Sequence, residues 1–104
     1  MSSLSLSADT VTRAKQTEER RTPVMKFGVF DHMDRSGPDL GQLYQNRLAL
    51  VEAYDRAGFY GYHVAEHHGT PLGLSPSPSV FLSAVAQRTD RLRFGPMVYV
   101  LSTY

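Results

Sequence analysis

Three histidines and a glutamate fall within six residues, HVAEHH, from His63 to His68, in a chain that has four histidines in all. As spacing alone, His63, Glu66 and His67 fit the His-x-x-Glu-His pattern, in which two imidazoles hold zinc and the carboxylate serves as a base. The same residue types permit a second chemistry. An imidazole exchanges a proton near neutral pH, and a nearby carboxylate orients it or hydrogen-bonds a ligand. Backbone conformation decides between the two. On a helix, positions four apart lie about 6 Å from one another and can share an ion bound at about 2 Å. On a strand the same interval spans roughly 13 Å, too far for one ion. Gly61 and Gly69 leave little length for a helix, and Tyr60, Tyr62 and Val64 favour a strand. The segment is therefore read as a strand with no metal site. His63 belongs to its packed part, and Glu66 and His67 emerge at its exit. Neighbouring side chains on a strand face opposite ways, so Glu66 and His67 need not touch.

The elements that must position this exit are readable from patterning. Residues 1–24 are rich in Ser, Thr and charge, contain no aromatic residue, and are expected to be disordered. At Met25, which resembles an alternative start, the apolar run Met25–Phe30 predicts a first strand, followed by the turn-rich DHMDRSGPD. Asp39 with Gln42 three residues on predicts a capped helix start. Leu40, Leu43, Tyr44, Leu48, Val51 and Tyr54 then recur at helical spacing until Gly58. After the strand around His63 and the loop TPLGLSPS, Ser77-Pro78 predicts a second helix start, with the serine hydroxyl as cap. Leu92–Leu101 is read as the third strand. Strand, helix, strand, helix, strand implies parallel βαβ units with both sheet faces covered. Ligands of parallel α/β folds bind at the carboxyl ends of strands, which groups Asp31–Asp34, Glu66–His68 and Ser102–Tyr104. His32 and His68 are read there as loop histidines of no special purpose.

Composition narrows the function. A chain of 104 residues holds one domain at most, and a net charge of +1 gives no footprint for nucleic acid or an anionic membrane. The absence of cysteine excludes disulfides, thiolate metal sites and a cysteine nucleophile, and suits a cytoplasmic location. Arg20-Arg21 is followed by Thr22-Pro23-Val24 and a lysine two residues later, with no apolar stretch, so it is not read as an export signal.

MKFGVF at the first strand, RAGFYGYHVAEHHG around the second, SPSPSVFLSAVAQRTDRLRFG through the second helix, and PMVYVLSTY at the third strand together closely resemble the bacterial luciferase-like monooxygenases over residues 25–104. The resemblance implies the amino-terminal β-α-β-α-β portion of a (β/α)8 TIM-type barrel, incomplete here. It implies reduced FMN, or F420 as in some relatives, with oxygen and a small organic substrate, and a homodimer as a possible assembly. His67 matches the family's active-site histidine and Glu66 the carboxylate beside the flavin. Met97 and Val98 match a non-proline cis peptide behind the flavin ring. Such barrels need about 250 residues. The sequence reading therefore expects a truncated barrel with little or no activity alone; the alternatives are a non-catalytic partial barrel that pairs its edge with a partner chain and, against the strand spacing, a small metal hydrolase.

Overall fold

The computed structural model describes residues 24–37 and 39–104. Apart from Val24, the expected disordered stretch 1–24 lies outside the described residues. The element order is β1 (Gly28–Asp31), α1 (Leu40–Ala57), β2 (Gly61–Val64), α2 (Pro78–Arg88), β3 (Arg93–Pro96) and a final single turn of 3-10 helix, Leu101–Thr103.

The two helices begin differently. Asp39 caps α1 by accepting from the Gly41 and Gln42 N–H groups at 2.8 and 3.3 Å. Gln42 does not reach back to complete the predicted box; its amide donates forward to Asn46 at 2.8 Å. Gly58, at φ 81°, ends the helix in the left-handed conformation that glycine adopts without steric cost. At α2 the Ser77 side chain makes no capping bond, contrary to expectation. Pro78 opens the helix, where its missing N–H costs nothing, and the Ser77 carbonyl accepts from Val80 N–H instead.

The strands form one parallel sheet in the order β1-β2-β3. Val29, Tyr62 and Phe94 share one row and one face, while Phe30, His63 and Gly95 share the next row and the other face. Tyr62 is fully buried, and its ring meets Tyr54 of α1 and Phe81 of α2, each at 6.4 Å. Both helices therefore cover the same face. The wall of a singly wound barrel has this arrangement, and so does one βαβαβ half of a doubly wound sheet. The core lies between sheet and helices and includes Leu43, Leu48, Val51, Val64, Phe81, Leu82 and Val85.

Three expectations are corrected. The sheet is covered on one face only: Phe30 is 48% exposed on the side that a closed barrel fills from its remaining strands. The first strand is shifted to Gly28–Asp31, because the ladder starts where Gly28 pairs with Gly61; before it, the Phe27 carbonyl accepts from Tyr60 N–H at 2.7 Å. The third strand stops at Pro96, where the Met97–Val98 peptide is cis and the chain turns toward Leu101–Thr103.

Candidate functional site at the strand ends

The exit of β1 splits its residues between the two faces of the sheet. Asp31 turns toward the helices, accepting from the Tyr62 hydroxyl at 2.5 Å and pairing with Arg47 Nε at 3.2 Å. Burial, and then the bond to Asp31, push the Tyr62 phenol well above its ordinary pKa. The Asp31 carboxylate also accepts from Met33 N–H at 2.7 Å. Met33 has φ 53°, uncommon for any residue but glycine; it is fully buried in the core, and its carbonyl accepts from Leu74 N–H. His32 is left between them on the open face. Its ring lies 4.6 Å from Phe30 and 5.9 Å from His67, the two imidazole planes being 25° apart.

At the exit of β2, Glu66 has a fully enclosed side chain. Its carboxylate accepts from Val100 N–H at 2.8 Å, Thr103 Oγ1 at 3.1 Å and Tyr104 hydroxyl at 3.3 Å, and bonds His68 Nε2 at 2.7 Å. Burial alone would raise its pKa, but the Val100 amide, then His68, Thr103 and Tyr104, outweigh it and hold the carboxyl below the usual glutamate range. Glu66 thus ties the segment after β3 to the end of β2. Its imidazole partner is His68, two residues on, and not the adjacent His67.

His67 is half-buried and packs on Gly73 of the following loop. A Cβ at Gly73 would sit 2.4 Å from Cδ2 of His67 and 2.8 Å from its Cγ, so the glycine makes the space for the ring. At β3 the Met97 N–H still donates to Val64 at 2.9 Å, and beyond it Met97 and Val98 are 44% and 69% exposed. An apolar, open end of β3 and an imidazole after the neighbouring β2 suit a planar, largely apolar ring system with a polar edge.

Sequence reading placed the three loops on one face, and His32 with His67, and Thr103 and Tyr104 with Glu66, do meet there. His63 and His67 do not share a helix: Gly61–Val64 is strand. Among the described residues no group of three or more His, Cys, Asp or Glu is arranged to hold a metal ion. Two participants were missed. Gly73 looked like any loop glycine, and the stacking of His32 depends on Asp31 turning the other way. A cavity of about 340 Å³ lies elsewhere, between α1 and α2, lined by Tyr44, Leu48, Leu74 and Phe81 among others. Tyr44 donates its hydroxyl to the Leu74 carbonyl, and Ser75, also in the lining, is buried with a hydroxyl that makes no hydrogen bond.

A one-sided parallel βα wall with its polar groups gathered at the strand ends defines a parallel α/β protein. Residues 25–104 match the luciferase-like monooxygenase family, and the chain belongs to it. It is 58% identical over 78 residues to an uncharacterised protein, y4wF, of Sinorhizobium fredii, covering 75% of this chain and 23% of that one. Limonene 1,2-monooxygenase of Rhodococcus erythropolis is 38% identical over 70 residues, covering 66% and 18%. The oxygenase component of flavin-dependent trigonelline monooxygenase of Acinetobacter baylyi is 30% identical over 73 residues, covering 68% and 20%. Among solved structures, the oxygenating constituent of 3,6-diketocamphane monooxygenase from Pseudomonas putida, a type II Baeyer-Villiger enzyme in complex with FMN, shares the fold with a TM-score of 0.68 at 24% identity, over 74% of this chain and 22% of that one. The chain thus spans about a fifth of the length of these relatives. No helix among the described residues is long and apolar enough to cross a membrane.

Proposed function

We propose that this chain supplies the amino-terminal portion of a flavin-dependent monooxygenase acting in the cytoplasm on a small organic substrate. The observation that carries the reading is His67, held against Gly73 after β2, with the exposed Met97 and Val98 following the neighbouring strand β3. Reduced FMN, when bound, supplies the two electrons with which one atom of oxygen enters the substrate and the other leaves as water. FMN is favoured over F420 because the fold neighbour carries it and the trigonelline relative is flavin-dependent. Met97 and Val98 would give the cofactor an apolar backing, and His67 would hold or exchange a proton for the reaction. Glu66 acts beside the cofactor through Val100–Tyr104, the segment it fixes. In barrels of this type the phosphate site follows strands seven and eight, which the three described strands cannot supply. The isolated chain is therefore a poor catalyst.

A chimera in which this chain replaces the matching segment of the limonene 1,2-monooxygenase tests the reading. It is expected to bind FMN and consume oxygen with substrate, while the isolated chain given reduced FMN does not turn over. His67→Asn in the chimera lowers turnover by about 100-fold or more. Unchanged turnover in that variant, or an isolated chain as fast as the relative, rejects the proposal.

A further inference from the structure

On the helix side of the sheet, the cavity of about 340 Å³ is walled by α1, α2 and the loop before α2. Tyr44 and Phe81 face it from the two helices, their rings 6.2 Å apart and tilted by 37°, with Leu48 one turn after Tyr44 and Ala84 one turn after Phe81. Val80 also belongs to the lining and is 73% exposed, so the cavity opens to solvent there. No residue of the lining carries a charge, and none of Glu66, His67, Met97 and Val98 belongs to it. Two serines interrupt the apolar surface. Ser75 is 2% exposed, and its hydroxyl is closed to solvent and has no hydrogen-bond partner. Ser77 makes no capping bond at the start of α2. A buried hydroxyl left unpaired costs stability, and most buried polar groups in folded proteins are paired.

We infer that this cavity is a binding site for a compact, uncharged, largely apolar molecule carrying one carbonyl or hydroxyl oxygen, and that Ser75 bonds that oxygen. The size follows from the volume. An apolar cavity of about 150 Å³ takes benzene, so this one takes about a dozen non-hydrogen atoms. Charge is excluded because the lining has nothing to pair it, and burying an unpaired ion costs far more than apolar contact returns. An apolar concavity with a few polar groups is the common form of a small-molecule site. Serine has an unbranched side chain with three staggered positions, so rotation about Cα–Cβ turns its hydroxyl toward an occupant. The inference does not depend on the flavin reading, whose residues lie at the strand ends.

The test is a titration of the 104-residue chain, followed by methyl NMR, with α-tetralone, a fused-ring ketone of about this size, and with tetralin, its skeleton without the oxygen. The ketone is expected to bind with a dissociation constant of about 1 mM or tighter. It should shift the methyl signals of Leu48, Val80 and Ala84 and show cross-relaxation with them, and not with Met97 or Val98. It should bind about fivefold tighter than tetralin, the share of one hydrogen bond, and Ser75→Ala should remove that difference without weakening tetralin. Ser75→Ala deletes an unpaired hydroxyl and so keeps the fold. Ala84→Phe fills the space and should abolish binding of both; Val80→Trp, at an exposed position, blocks the opening with less demand on the core. Methyl signals that the ketone leaves unmoved, or moves only at Met97 and Val98, overturn the inference. Equal binding of ketone and hydrocarbon, or binding that survives both blocking variants, also overturns it. So do Leu48, Val80 and Ala84 signals that shift with protein concentration alone, since a second copy then fills the cavity.

Discussion

Gly73 is the residue on which the geometry of His67 depends. Its missing side chain is filled not only by the imidazole but by the Cβ of His67, 2.9 Å from where a methyl would stand, so rotating the ring does not relieve the clash. Gly73→Ala must therefore shift the loop or the end of β2. The expected result is a loss of about 1–3 kcal/mol in urea unfolding, the usual cost of overpacking, together with displaced ring resonances of His67. Unchanged stability and unchanged His67 shifts would show that the loop has room. This contact was not legible in the sequence, because it joins residues six apart across a turn, and a glycine among prolines reads only as loop. Gly58 was legible, since it stands where a helical period ends and has the expected positive φ. The Glu66–His68 pair was legible in principle: residues two apart on an extended segment face the same way, and adjacent residues do not.

Among the elements, the junction of α1 with β3 depends on Asp55. This carboxylate, in the last turn of α1, accepts from the N–H groups of Asp90, Arg91 and Leu92 at 3.0, 3.0 and 2.7 Å. The Asp90 and Arg91 amides hold its pKa below the ordinary aspartate value, burial opposes them, and the Leu92 amide and Arg91 charge add to the lowering. A carboxyl whose pKa is lowered in the folded chain stabilises fully above its unfolded value of about 3.9, and that contribution is lost as pH falls through the lower folded value. Asp55→Asn is expected to reduce the urea midpoint at pH 7, with the difference from the unsubstituted chain narrowing as pH is taken below about 3. A constant difference across that range would mean the amide bonds do not depend on the charge. The order and parallel sense of the elements were legible because α1 has a clean helical period and both loops carry turn residues. Where β3 ends was not, because MVYV has a β-rich composition and the bend at Met97–Val98 leaves no local signature; it was implied only by the family resemblance.

Over the whole molecule the unequal covering of the sheet has a consequence for behaviour in solution. Among the described residues, with the order β1-β2-β3, both β1 and β3 are edges, and the face away from the helices carries Phe30 half exposed. Unpaired edges beside exposed aromatic surface favour association. This supports the second reading, a partial barrel that pairs through its edge, and equally describes a wall whose remaining strands are supplied by the rest of a longer protein. The isolated chain is expected to associate with rising concentration in sedimentation velocity. Phe30→Ser should weaken that association by about tenfold, since burying a phenylalanine side chain is worth roughly 1.5–3 kcal/mol and 1.4 kcal/mol is a factor of ten. The helix-side core should be unaffected, because Phe30 faces away from it. In the chimera, where the relative's strands cover this face, the same substitution should act on folding instead, lowering the thermal midpoint without changing the oligomeric state. A chain that stays monomeric at high concentration, or a Phe30→Ser chimera as stable as its parent, would mean that this face is not where the rest of a barrel docks.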